Sequence, residues 1–552
     1  MKKIVSLICY NIICVFFFPL LCHSQMIQWS DHAGGDQLDG GGYVSSDNNG
    51  NTYVAGITQS SLCFFDNDTI HQSLFIAKYN SSGDRIWLLS FINGTGSLDG
   101  EGGNIPLTLD TIRQNLLVSG TFFGFLMLPN DSILLGSKNT IFLMKIDLDG
   151  HIKWTKTAGG VGDDQAFGIT YDATGNIFIS GSNSDSANFD NIIIPRGGFI
   201  AKYDSGGNVL WAKHKFRYFT QFGDGYPFDE VNSKKILINQ NSLLIFGDVL
   251  RDTVVVDTVT FKNPPGFMST FISSFTLSGD LKWMKCAGGP FGASGDFTTD
   301  RLGNIYISGL LTGKGIFGTD TLVQPGNLGD AFLAKYDLNG DLHWATNLKC
   351  TEFAWGWAVA TDTGGSVYFS GQFHGNAYFG NTLISSMYSG NNMFLARYTS
   401  SGNNIGVVQF GEGGIYGLAT DNEHNVCFTG DFLDTLVLGR NTYPSYGYLD
   451  FFVAKCSPIT NGIEATSEKD DKLLIYANPT TGICNIEIPV SFQNEKELTL
   501  FVYNATGNLM QKITINIIND KITFDIQAQA KGIYPVILTN GIRSYSGKII
   551  FE

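Results

Sequence analysis

FGITYDATGNIFISG (167–181), followed after a short gap by FIAKYDSGGNVLW (199–211), is one copy of a unit that recurs down the chain. Its second strand closes on Gly181, and equivalent glycines stand at Gly56, Gly120, Gly247, Gly309, Gly371 and Gly430. The F-x-A-K-Y segment returns as FIAKYN (75–80), FLMKID (142–147), FISSFT (271–276), FLAKYD (332–337), FLARYT (394–399) and FVAKCS (452–457). A turn glycine and then a tryptophan end the unit at Trp87, Trp154, Trp211, Trp283 and Trp344, whereas the sixth copy carries Gly406 in that place. DATGN (172–176) and DLNGD (337–341) carry Asp-Gly turn chemistry, and Ile177 and Ile179 alternate with Phe178 as a strand requires. Four short strands per unit, repeated radially, predict the blade of a propeller. A solenoid would need polar capping repeats, and none is visible.

The two ends of the array complete each other. The seventh copy stops after FVAKCSPIT (452–460) without a fourth strand. MIQWSDHAGG (26–35) shares its Trp and Gly-Gly with the fourth strands KWTKTAGG (153–160) and KWMKCAGG (282–289). Pairing the first strand with the last copy closes a ring and removes the exposed edge an open sheet would leave. The expected fold is all-β: a seven-bladed propeller over 25–459, closed by the N-terminal strand.

The G-N-aromatic-x-S-G and F-x-A-K-Y signatures resemble the seven-bladed β-propeller repeat family of secreted bacterial proteins. The resemblance runs from about Gln28 to Ile459 and implies a fold, not an activity.

Before the repeats, Lys2 and Lys3 precede an apolar run from Ile4 to Leu21, and Cys22-His23-Ser24 offers a cleavage site. Residues 1–24 therefore read as a signal peptide, with no transmembrane span left after its removal. The 552 residues include 66 Gly, 42 Phe and 22 Tyr, and the net charge is −15. That charge excludes a nucleic-acid partner, which needs a basic footprint.

Past a polar linker (460–472) the repeat vanishes. LLIYANPTTGICNIEIP (473–489), ELTLFVYNATGNLMQKI (497–513), ITFDIQAQAKGIYPVIL (522–538) and SGKIIFE (546–552) read as a small Ig-like β-sandwich. Asn478, Pro479, Gly482, Gly532, Tyr534 and Lys548 give this tail its resemblance to the C-terminal sorting domain of the type IX secretion system of Bacteroidota. The family's Tyr-Pro-Asn-Pro appears here as Tyr476-Ala477-Asn478-Pro479. The resemblance implies the type IX machinery as a partner, and a protein released or held at the outer cell surface.

No H-E-x-x-H, G-x-S-x-G, P-loop or C-x-x-C motif is present, so no catalytic residue is assigned. The aspartates of DLDG (147–150) and DLNGD hint at calcium but lack the closing acidic ligand, and they recur as turns; no cofactor or metal is assigned. Six cysteines remain beyond the signal, without metal spacing.

The segments leading into each innermost strand are rich in acids: Asp36 and Asp39, Asp99 and Glu101, Asp163 and Asp164, Asp224 and Asp229, Asp296, Glu352, and Glu412. Gathered round one end of a ring they would make a negative rim. Two of these segments add aromatics, including Tyr226, Trp355 and Trp357. Trp357 aligns with Phe167 and is expected to pack between blades, leaving Trp355 for a ligand. The expected ligand site comprises Asp99, Glu101, Asp163, Asp164, Asp224, Tyr226, Asp229, Glu352, Trp355 and Glu412. It suits a glycan or protein ligand bound without catalysis. The alternative is a polysaccharide hydrolase or lyase using carboxylates from several blades, about 5 to 9.5 Å apart for hydrolysis. A purely structural role is the third reading.

Overall fold

The computed structural model describes residues 26–93, 105–217, 231–249, 253–262, 269–289, 292–324, 328–459, 473–489, 492, 497–504, 509–516, 521–539 and 544–552. The expected signal peptide and linker lie outside these residues. The chain forms two compact units, Met1–Thr460 and Asn461–Glu552. Both are all-β among the described residues, apart from a single 3-10 position at Phe492.

In the third copy, Asp164–Tyr171 pairs with Ile177–Asn183, then Gly197–Tyr203, then Val209–Arg217, all antiparallel. The turn at 172–176 is set by chemistry. The Asp172 carboxylate accepts the backbone N–H groups of Thr174 and Asn176 at 3.0 and 2.9 Å, while Gly175 supplies a φ of 89°. Asp147 and Asp337 do the same for their own turns, accepting His151 N–H at 2.8 Å and Asp341 N–H at 2.9 Å. The aspartates that hinted at calcium are thus occupied by backbone.

Both faces of each sheet are covered. Ile177 and Ile179 join one buried cluster, whereas Phe178, pointing the other way, joins the next. Double-sided burial explains strands such as Ile305–Leu311, buried at every position. Neighbouring units are also stitched at their outer edges. The hairpin Thr253–Val256/Val259–Lys262 pairs with Val209–Arg217 of the preceding unit, and Lys314–Phe317 pairs with Leu281–Gly288. The result is a propeller-like array of antiparallel sheets.

The N-terminal strand Ile27–Gly35 pairs with Asp450–Cys456, in continuous register from Trp29–Lys455 to Ala33–Phe451, with a shift between Ile27 and Trp29. Its far end pairs with the first copy's hairpin, Gly35 opposite Cys63. It occupies the fourth-strand position that the seventh copy lacks.

The outer-strand tryptophans reveal how units lock together. A Cβ added at Gly83 would lie 2.6 Å from Trp29 Cγ, so the indole lies flat on the turn of the next unit. The same pairing recurs for Trp87 with Gly150, Trp154 with Gly207, Trp211 with Gly279, Trp283 with Gly340 and Trp344 with Gly402. Each indole needs a turn between the third and fourth strands of the following unit. The unit after the sixth has its fourth strand supplied by Ile27–Gly35 and has no such turn. Gly406 therefore has nothing to cover, which accounts for the missing tryptophan.

Gly83 must be glycine twice over, for its φ of 91° and for the indole above it. Gly365 has a similar φ of 86° but open space around its would-be Cβ. Gly365→Ala is expected to cost about 1–2 kcal/mol for the left-handed backbone alone. Gly83→Ala is expected to cost clearly more, with thermal melts as the readout; equal losses would show that the indole contact contributes nothing.

The C-terminal unit has two antiparallel sheets over one core. One is Ile475–Tyr476, Ile483–Glu487 and Lys521–Asp525; the other is Leu509–Asn516, Glu497–Tyr503, Gly532–Thr539 and Ser544–Phe551. Cys484, Ile486, Leu500, Val536, Leu538 and Ile549 meet in its interior.

Candidate functional site

Six of the innermost strands carry a β-bulge near their start, whereas Leu107–Asp110 of the second unit pairs with Asn115–Met127 without one. The bulges fall at Gly41/Tyr43, Ala166/Gly168, Ser233/Lys235, Ser294/Phe297, Gly356/Ala358 and Ile415/Gly417. The repeated glycine of the second strand makes this possible. A Cβ at Gly371 would sit 1.9 Å from Trp355 O, and one at Gly181 2.0 Å from Gln165 O. The strand-closing glycine is thus the complement of the bulge, and a bulge re-aims the side chains beside it.

In a strict repeat, this is the place where the copies differ most. The bulge residues and their neighbours include Tyr43, Phe167, Lys235, Asp296, Trp357 and Tyr416, all only partly buried. Several of them meet. Lys235 Nζ lies 2.7 Å from Asp296 Oδ1 across two units, and Asp296 also accepts Val359 N–H from a third, at 3.4 Å. Burial first, then the nearby Asp296 charge, holds the Tyr43 phenol protonated far above its usual range. Trp357 meets Tyr416 edge-on with centroids 5.3 Å apart.

Sequence reasoning missed Tyr43, Lys235 and Tyr416. The available signal was the column of unlike residues at one position of the repeat.

The aromatic group of the sixth unit is built on one strand, Phe353–Thr361. Phe353, Trp355 and Trp357 alternate with buried Ala354, Gly356 and Ala358, so all three share one face. Trp355 and Trp357 stack at 4.1 Å with 15° between their planes, and Phe353 meets Trp355 edge-on. Neither indole N–H has an acceptor among the described residues. Trp357 does reach the next unit, as expected. Trp355, expected to lack that duty between blades, stacks on Trp357 within its own strand.

The acidic positions separate into two kinds. Asp163 and Glu352 are exposed; Asp163 accepts Asn139 Nδ2 at 3.2 Å, and Glu352 pairs with His374 at 3.2 Å. Glu412 is half-buried and accepts Gly390 N–H at 2.5 Å. Asp164 is buried and accepts Gly160 N–H at 2.6 Å, and buried Asp39 accepts the Ser60 hydroxyl at 2.8 Å. These two carboxyls hold loops from within rather than facing outward. Asp99, Glu101, Asp224, Tyr226 and Asp229 lie outside the described residues. No group of three His, Cys, Asp or Glu side chains among the described residues is placed to hold a metal ion. Two surface grooves, of 590 and 710 Å³, lie away from this site along Asp257–Lys285 and between Phe261 and Leu342.

Burial raises Asp164 and Asp330 to about 6, and Asp431 and Asp450 to about 7. The folded protein therefore holds these protons where the unfolded chain has lost them. Their contribution is full below the ordinary carboxylate range and is lost as pH rises through about 6–7. Burial lowers His32, which works in the opposite sense below its ordinary value of 6.5. Burial raises Asp31 and Asp39 as well. With six acids against one histidine, the melting temperature is expected to be higher at pH 5 than at pH 8. Asp431→Asn should flatten that difference; an unchanged slope would count against the assignment.

The C-terminal motif is a clasp. Asn478 accepts Ile550 N–H at 2.7 Å and donates to Lys548 O at 2.6 Å, while Thr480 N–H donates to Ile550 O at 2.8 Å. Gly482 is required by its φ of 148° and by Gln527, 2.2 Å from its would-be Cβ. Tyr534 donates to Ala530 O just before Gly532, and the Lys548 side chain is exposed. The motif thus pins the final strand. Residues 474–552 match the secretion system C-terminal sorting domain family.

The type IX sorting domain sends the protein out to the cell surface or the medium, handled by the type IX secretion system. Asn478→Ala removes two hydrogen bonds and is expected to destabilise the sorting domain by about 1–3 kcal/mol. Urea melts of the chain would show this as an earlier transition for this unit alone.

No curated protein matches the chain. Among solved structures, it is similar to an ulvan lyase from a new family of polysaccharide lyase, bound to -[GlcA(1-4)Rha3S]-. The identity is 10% and the TM-score 0.39, covering 76% of this chain and 97% of that one. A duf4221 family member from Bacteroides vulgatus shares 11% identity at TM-score 0.30, covering 65% and 93%. An exotype rhamnogalacturonan lyase shares 12% at TM-score 0.27, covering 77% and 90%. No helix among the described residues is long and apolar enough to cross a membrane.

Proposed function

We propose that the protein is an exported saccharide-binding propeller, with its site at the leading ends of the innermost strands. Residues 1–24 serve as the signal peptide, 25–459 form seven blades, 460–472 link, and 473–552 form an Ig-like sorting sandwich. Seven blades are supported by the seven copies of the repeat and by the N-terminal strand in the fourth position of the last.

The observation that carries the binding reading is the partly exposed Trp355–Trp357 stack, flanked by Phe353 and Tyr416. The aromatic surface left open beside such a stack is the kind that the apolar faces of sugar rings cover. Asp163, Glu352 and Glu412 stand on the segments leading toward this site.

The test is the mature protein on a broad array of glycans and matrix proteins. Binding to at least one glycan, lost on Trp355→Ala, is expected, with the carbohydrate recovered intact. Shortened products would favour the hydrolase or lyase alternative, and binding to a protein alone would move the ligand class.

A further inference from the structure

We infer that the site selects uncharged saccharides over polyanionic and cationic ones. This rests on the saccharide-binding reading above. It follows from how charge is distributed between the bulge residues and the segments leading to them.

Both lysines beside the fourth unit's bulge are already engaged. Lys235 is 2.7 Å from Asp296, and Lys234 is 3.4 Å from Asp248 and donates to Ser294 O at 2.9 Å. A uronate or sulfate reaching this group would have to take one lysine from its carboxylate. That would leave Asp296 or Asp248 charged and unpaired in partly desolvated surroundings, where a lone charge is costly. A cation faces the mirror problem, because Asp296 is already balanced by Lys235. Tyr43, which feels the Asp296 charge, is held uncharged by burial and by that charge.

Farther out, the exposed Asp163 and Glu352 and the net charge of −15 repel a polyanion before it arrives. What the site offers instead suits hydroxyl groups. Asp296 accepts, Lys235 donates, and the indole surface left outside the stack covers C–H groups. A neutral sugar uses all of these without breaking an ion pair.

The experiment is calorimetric titration of the full mature chain with neutral hexasaccharides of glucose, xylose and mannose, with hexagalacturonate, and with chitosan hexamer, at 50 and 500 mM NaCl. At least one neutral hexamer should bind with an affinity that changes less than twofold with salt. Trp355→Ala should weaken it tenfold or more. The charge-neutral pair change Lys235→Met with Asp296→Asn should weaken it as well while leaving the melting temperature near that of the parent, which guards against a misfolded single variant. Hexagalacturonate or chitosan binding while the neutral hexamers do not would overturn the selectivity and leave saccharide binding standing. Failure of all five to bind would count against the saccharide reading itself.

Discussion

A chain lacking residues 26–35 is expected to lose the cooperative fold of the first unit. The strand is held by backbone pairing to Asp450–Cys456 on one side and to Cys63 and Phe64 on the other. It also brings Trp29 and Ala33 into a buried cluster with Phe65, Phe75, Tyr79, Phe451 and Val453. Truncating a single buried aromatic of this kind costs about 3–5 kcal/mol. Removing the whole strand uncovers both the cluster and two sheet edges, a loss comparable to the entire stability of a typical domain, about 5–15 kcal/mol. Circular dichroism and size exclusion should show an expanded or aggregated product with no sharp melt. The separate peptide 26–35, added in excess, should restore part of the transition. A deletion variant that melts like the parent would show that the strand is an ornament rather than the closing element. Trp29→Ala is the milder form and should lower the melting temperature without abolishing the transition.

Deleting residues 474–552 should abolish delivery to the cell surface and leave the protein inside the outer membrane. The sorting domain has its own two-sheet core and clusters as a separate compact unit, so its loss leaves the buried clusters of the first unit intact. The expected signature is therefore a split result: a normal melt for the purified propeller unit, and no protein in surface or medium fractions of the producing bacterium. Surface delivery of the truncated chain would sever the link between this domain and export. Asn478→Ala tests the same link at finer grain, since it loosens the last strand without removing the domain.

The repeat made most of the fold legible. Its turns are local chemistry: an aspartate bonding to N–H groups two and four residues on needs no distant partner, so DATGN and DLNGD could be read directly. Strand alternation was equally readable, because Ile177 and Phe178 must enter different interlayers whichever sheets supply them. The sorting motif was visible by its resemblance to a known family, although Asn478 and Thr480 act on Lys548 and Ile550 in the last strand of the unit. The missing tryptophan at Gly406 was visible but had no explanation in sequence, since its cause is a turn the following unit lacks.

The candidate site was legible only in part. Trp355 stood out by composition, and the structure keeps it at the centre of the aromatic group. Acidity alone could not separate Asp163 from Asp164, although one is exposed and the other buried against Gly160. That choice depends on which way each residue turns where the strand begins.

By itself, the sequence determined the repeat period, the turns, the all-β class, the partner of the first strand, and the address for export. The address for export follows from resemblance to a known family, and the others follow from interactions within a few residues or from the likeness of one copy to another. Only the tertiary structure decided what the bulges do. Tyr43, Lys235, Asp296, Trp357 and Tyr416 come from five different units, and no local rule links them. Lys235 meets Asp296, and Trp357 meets Tyr416, because the strand-closing glycines let these inner strands bulge and because the sheets pack side by side.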